Sequence, residues 1–262
     1  MNDQRDRSDL PAQIREMHES ILRMGVLVEE ALRKVIFALE TRDFQLAEEI
    51  VRNDQRIDAL EVRIDDQCNW IIATVQPEDR NLREVLTTLK FTTALERIGD
   101  HARHIARRAR VITDSAFVPT LPIIRKMTEN AISMLRDLLT AYVEGNADQA
   151  REVAARDDEI DRLHQQLTDQ TVAIMRSDPT TIENGLELML VNRFLERLGD
   201  QITNMCELVV FAGTADHVEL NRSRRADRSA APHEAHAGYR AATGMPVPTQ
   251  PTVKTRREAP EV

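Results

Sequence analysis

Eight acidic residues of this chain form four pairs, each spaced i, i+4: Asp54 with Asp58, Glu96 with Asp100, Asp157 with Asp161, and Glu196 with Asp200. On an α-helix that spacing sets both members on one face, one turn apart. Like charges so placed cost a helix a few tenths of a kcal/mol per pair. A cation held between them removes the repulsion, so the chemistry these pairs could do is metal binding. Further donors continue the stripes: Glu61 and His164 after the first and third pairs, His104 and Asn204 after the second and fourth. Oxygen-rich ligands suit hard or borderline cations, and His104 tilts the first site towards Fe or Zn, with Mn and Mg as alternatives. One such pair alone reads as a solvated helix face. Four in register bring metal ligation level with that plainer reading.

The pairs recur because the chain repeats itself. Leu95-Glu96-Arg97-Ile98-Gly99-Asp100 returns as Leu195-Glu196-Arg197-Leu198-Gly199-Asp200 at an offset of 100. Asn53-Asp54-Gln55-Arg56-Ile57-Asp58 resembles Arg156-Asp157-Asp158-Glu159-Ile160-Asp161, and Pro77 matches Pro179. Such self-similarity marks an internal duplication, so each half should fold alike. On a helical wheel the Glu96/Asp100/His104 stripe lies roughly opposite Leu95, Ile98 and Ile105. The expectation is therefore an open, outward-facing site shared with the acidic stripe of a neighbouring helix.

The elements that must position these residues are long helices. Proline is expensive inside a helix, by roughly 3 kcal/mol, and here it falls between stretches of helical period. With breaks at Thr41-Arg42-Asp43, where Asp43 would be an N-cap, and at Gly145-Asn146, the pattern predicts six helices. They cover about 9–40, 44–75, 79–112, 120–144, 147–177 and 180–212. The fold class is all-α: two repeated antiparallel three-helix bundles, residues 1–115 and 116–212, followed by a tail, 213–262. A composition 42% hydrophobic but only 3% aromatic suits long helices better than sandwiches or barrels. Gly99 and Gly199 are explained by close helix packing, and Trp70 and the methionines by core filling. The tail holds half of the ten prolines and is expected to be disordered, with His233 and His236 a chance pair.

Charge and cysteine usage exclude several functions. The net charge is −9, and from Gly213 onward there are eight bases and six acids, leaving 27 bases against 38 acids in the body. So acidic a body is a poor nucleic-acid binder. Cys68 and Cys206 have no CxxC partner, which fits a reducing compartment. The polar N-terminus does not read as a signal peptide and no 18-residue apolar run spans a membrane, so the expectation is a cytoplasmic protein. There is no Gly-rich phosphate loop, nucleophile elbow or kinase signature. A di-metal carboxylate oxidase needs Glu-x-x-His pairs aimed into a bundle core, and Asp161-x-x-His164 is the nearest approach within residues 1–212. That reading ranks last, behind a metal-independent helical adaptor.

The doubled Leu-Glu-Arg-Ile/Leu-Gly-Asp phrase, with Asp-x-x-Ile-Asp one helix earlier in each half, resembles the PhoU family of phosphate-transport regulators over about residues 10–212. The resemblance implies two three-helix bundles that bind iron or zinc clusters at surface E(D)xxxD motifs. It implies a homodimeric negative regulator without catalysis, coupling the ATPase subunit of a phosphate ABC transporter to a sensor histidine kinase, and reaching the membrane only through those partners. Carried onto this sequence, Asp54, Asp58, Glu96 and Asp100 would form one metal site, and Asp157, Asp161, Glu196 and Asp200 the other. The family's usual Asn eight residues after the motif Glu is His104 in the first half and Asn204 in the second, so the two sites should differ.

Overall fold

The computed structural model describes residues 10–220. Among them every regular element is helical: α1 (Leu10–Thr41), α2 (Phe44–Asn53), α3 (Gln55–Trp70), α4 (Asp79–Ala109), α5 (Leu121–Glu144), α6 (Ala147–Ala155), α7 (Asp157–Ser177) and α8 (Ile182–Thr214). One π-helical turn, Ile71–Val75, extends α3, and short 3-10 turns, Ser115–Thr120 and Pro179–Thr181, lead into α5 and α8. The all-α reading with six long helical segments holds. The expected disorder of the tail beyond residue 220, and the His233/His236 pair, lie outside the described residues.

Helix ends fall where local chemistry puts them. Asp43 caps α2 by accepting from the Leu46 amide at 3.0 Å. Gly145, at φ 63°, takes the left-handed conformation that ends α5, a position favouring a residue without Cβ. Asn146 then caps α6 through the Gln149 amide at 3.1 Å. Three of the segments differ from expectation. The segments 44–75 and 147–177 are not single helices: each is interrupted, at Asp54 and at Arg156, in equivalent places of the two repeats. The last helix also runs past Gly213 to Thr214, and the chain after it folds back, with His217 stacked on Phe211 and the Leu220 amide donating to Glu207.

The halves meet along two antiparallel seams. On one, Arg108 of α4 pairs with Glu187 of α8 at 2.9 Å while His104 stacks on Phe194, so the helices run past each other with both copies of the repeated phrase near the middle. On the other, Arg125 and Arg136 of α5 pair with Glu40 and Glu29 of α1. A single cluster of buried side chains, including Phe91, Leu95, Ile98, Leu195, Leu198 and Ile202, runs through both repeats.

The interruptions in α2–α3 and α6–α7 are matched by the glycines of the repeated phrase. A Cβ on Gly99 would sit 2.9 Å from Ile57 Cδ1 and 3.8 Å from Asp54 Oδ1. A Cβ on Gly199 would sit 2.0 Å from Asp157 Oδ1 and 3.1 Å from its Cγ. Gly199 is thus a gap that admits the acid beside the neighbouring interruption, whereas Gly99 makes room for Ile57 with Asp54 next to it. Gly→Ala inside a helix is otherwise favourable by roughly 1 kcal/mol. At Gly99 the intruding methyl meets only the end of a flexible isoleucine, so Gly99→Ala should be close to neutral. At Gly199 it displaces a wholly buried carboxylate, and overpacking should win by about 1–3 kcal/mol. Urea unfolding of the two variants checks this; a Gly199→Ala chain as stable as the parent contradicts it.

Candidate metal centre

In the first repeat, α3 and α4 bring Asp54, Asp58, Glu61, Glu96 and Asp100 within electrostatic reach of one another. Burial and the neighbouring Asp100, Glu61, Asp58 and Asp54 push the Glu96 carboxyl up to about 7. Burial raises Asp54 to about 6 against the opposing pull of Arg103, with Asp58 and Asp100 adding to the rise. Glu61 is raised by burial and by Asp65. Mutual repulsion in a half-dry crevice is the arrangement that a bound cation relieves.

The expectation of an outward-facing site is corrected here. Asp54 is only 5% exposed, Glu196 2% and Asp157 0%, while Asp58, Glu96, Asp100, Asp161 and Asp200 are half-buried. The wheel placed the α4 stripe away from that helix's own apolar face, but α3 covers the stripe, and α7 covers the equivalent face of α8. The sites are crevices between helices.

The remaining donors are placed differently. His104 lies flat against Phe194, ring centroids 5.0 Å apart at 10°, and Asn204 is exposed. In the second repeat the Thr203 hydroxyl donates to Asp157 Oδ2 at 3.3 Å, and Cys206 close by has its thiol pushed up to about 12 by burial and by Asp157. Further along α7, Asn192 Nδ2 donates to the His164 carbonyl and to Thr168 Oγ1, both at 2.9 Å, which seals that end with neutral groups. Its first-repeat counterpart keeps Glu61 and Asp65.

Sequence reasoning missed Arg103. Its guanidinium lies 2.9 Å from Asp54 Oδ2 and hydrogen-bonds Asp100 Oδ1. The signal was available: Arg103 stands three residues after Asp100, and the repeat puts Thr203 at the matching position. Among the described residues no three His, Cys, Asp or Glu side chains converge as a ready metal site. The donor set fits a hard cation by its chemistry, being made of carboxylate oxygens, of which those of Asp54, Glu61 and Glu96 have a raised proton affinity. In the first half, however, the space between Asp54 and Asp100 is bridged by a side-chain cation.

The PhoU domain family model matches residues 21–109 and 124–209, one match to each repeat. The chain is 35% identical over 209 residues to a phosphate-specific transport system accessory protein PhoU homolog of Clostridium acetobutylicum, covering 79% of this chain and 95% of the relative. It is 31% identical over 215 residues to the homolog of Streptococcus pneumoniae serotype 4, covering 82% and 100%. The fold is similar to crystal structures of PhoU from Streptococcus pneumoniae (TM-score 0.75, 29% identity, 80% of this chain and 99% of that one) and from Pseudomonas aeruginosa (0.72, 30%, 79% and 99%).

The raised carboxyl groups fix a sign for the pH dependence. Glu96 holds its proton more tightly folded than unfolded, so its contribution to stability is full below its ordinary value of 4.5 and is lost as pH rises through about 7. His101, lowered to about 4 by burial and by Arg197, works the opposite way, its contribution being lost as pH falls from 6.5 through about 4. The two overlap in one window, so the parent's profile alone does not separate them. Glu96→Gln removes only the first. In chelator, the melting temperature of Glu96→Gln minus that of the parent should rise steadily between about pH 4.5 and 7. A difference flat with pH, or falling, contradicts the assignment.

Proposed function

The chain belongs to the PhoU family, and we propose that it acts as a negative regulator of phosphate uptake and of the phosphate-starvation response, without catalysis of its own. It works in the cytoplasm as a homodimer, between the ATPase subunit of a phosphate ABC transporter and a sensor histidine kinase. It meets the membrane only through them; among the described residues no helix is long and apolar enough to cross one. The observation that carries this reading is the family match on both repeats, to relatives named as accessory proteins of phosphate-specific transport.

The metal part of the proposal rests on different ground. Each repeat is to bind a cation, Fe or Zn, or else Mn or Mg, through the acids of its second and third helical segments. Support comes from the donor chemistry and from the upward push on Glu96 and Asp54. With the ion bound, the charge that an acidic crevice offers an anion or a partner is reversed. The plainer reading, a helical adaptor without metal, is favoured by one observation: Arg103 already supplies a positive charge to Asp54 and Asp100.

Two measurements separate these readings. Elemental analysis of purified protein should find metal in defined stoichiometry, and a folded variant with Glu96, Asp100, Glu196 and Asp200 replaced by alanine should lose it. Two empty, equally stable proteins after metal is offered would leave the adaptor. In cells, removing the protein should switch phosphate-starvation genes on in high phosphate, and the parent chain should restore repression. A deletion that leaves those genes silent contradicts the regulatory role whatever the metal result.

A further inference from the structure

We propose that Arg103 is a built-in counter-ion of the first repeat, held between Asp54 and Asp100 in the metal-free protein and displaced when a divalent cation enters, so that it weakens metal uptake at this site. The inference rests on the metal reading given above and adds to it a residue of this chain that competes with the ligand.

Four observations carry it. The Arg103 guanidinium bridges one acid from the α2–α3 interruption and one from the repeated phrase on α4, the two sources from which a bound cation would draw its ligands. Its grip on Asp54 is close but poorly aligned: Nη1 stands 2.9 Å from Oδ2, yet among the described residues Oδ2 accepts no hydrogen bond of proper angle. Asp54 is 95% buried, so this is an acceptor removed from water, aimed into the crevice and only electrostatically satisfied. Arg103 Nε is likewise buried with no hydrogen-bond acceptor among the described residues. A guanidinium that binds well uses its planar fork on a carboxylate with two parallel hydrogen bonds. This one is divided between two acids and leaves donors and acceptors unmet.

Position 103 also differs between the repeats in kind. Thr203 occupies the matching place and, through an uncharged hydroxyl, donates a hydrogen bond to Asp157 Oδ2. The first site therefore carries a positive charge from position 103 and the second does not. Arg103 keeps about a quarter of its side chain exposed, on a long flexible stem, so an outward route to water is open to it. Replacing one positive charge by a divalent ion at the same carboxylates is favourable only after the arginine leaves, because the two cations repel at that distance.

The test uses the full-length chain with Asp157, Asp161, Glu196 and Asp200 replaced by alanine, so that the second repeat's candidate ligands are gone, titrated with Mn2+ after chelation. Arg103→Thr installs the second repeat's residue, and Arg103→Lys keeps the charge without the fork. Arg103→Thr should bind Mn2+ on the order of tenfold tighter or more, and Arg103→Lys about as weakly as the chain with arginine. Equal or weaker binding by Arg103→Thr overturns the inference and leaves the metal reading standing. No binding by either chain, while the chain with all acids intact binds, removes the first repeat as a metal site and the inference with it. No binding by any chain overturns both. If Arg103→Thr is unstable without metal, Mn2+ should raise its melting temperature more than it raises that of the chain with Arg103. A rise no larger than the parent's counts against the proposal.

Discussion

The contact on which the rest of the structure depends is a carboxylate set against a glycine. In the second repeat Asp157, beside the interruption of the second helical segment, enters the space left by the missing side chain at Gly199; in the first, Ile57 fills that space at Gly99 and Asp54 lies in ordinary contact next to it. A buried charge is costly unless it is paired or hydrogen-bonded. The two repeats meet that cost differently, with an arginine at position 103 and a threonine at position 203. Packing of the second segment onto the third buries Glu96 and Glu61 and sets Asp58 and Asp100 beside them, and that burial and proximity raise the proton affinity of Glu96 and Glu61. Backbone packing and site chemistry thus share one cause.

Much of this was legible in the sequence because it is local. A duplicated phrase needs no tertiary information to be seen. Asp43 and Asn146 as N-caps, Gly145 as a helix end and the prolines between segments follow from backbone chemistry at single positions. What was not legible involves two helices at once. A wheel drawn for α4 assigns Glu96 and Asp100 to the side away from its apolar residues, and it contains no information that α3 lies there. The interruptions escaped notice for a similar reason. Neither Asp54 nor Arg156 is a proline or a glycine, so nothing in local propensity forces the helix to stop. Close packing at Gly99 and Gly199 follows from a glycine inside a helix, but the sequence does not say that the neighbour is Ile57 in one repeat and Asp157 in the other. In the sequence Arg103 is a base three residues from an aspartate, and only the fold reveals that it also reaches Asp54.

The architecture ties the two candidate sites to one seam. α4 and α8 carry both copies of the repeated phrase and run antiparallel against each other, joined by Arg108–Glu187 and by His104 stacked on Phe194. On its other side each of these helices faces the acidic stripe of its own repeat. A change in how α3 sits on α4, or α7 on α8, therefore acts on the helices that join the repeats. In the first repeat the acids that a cation would draw together come from different helical segments, so occupancy would fasten those segments to each other. That is a physical route by which ion binding in a crevice could alter a surface read by a partner.

The most direct measurement of the central claim, that the interruption acids and the repeated-phrase acids of each half jointly hold a cation, is anomalous diffraction from crystals of the full-length chain grown with Mn2+. The account predicts a peak in each repeat, one within ligand distance of Asp54 or Asp58 together with Glu96 or Asp100, the other at Asp157 or Asp161 together with Glu196 or Asp200. In the first repeat, Arg103 should have turned away from both of its acids. Peaks found only elsewhere, or acids that keep their metal-free arrangement with Arg103 still between Asp54 and Asp100, would contradict it.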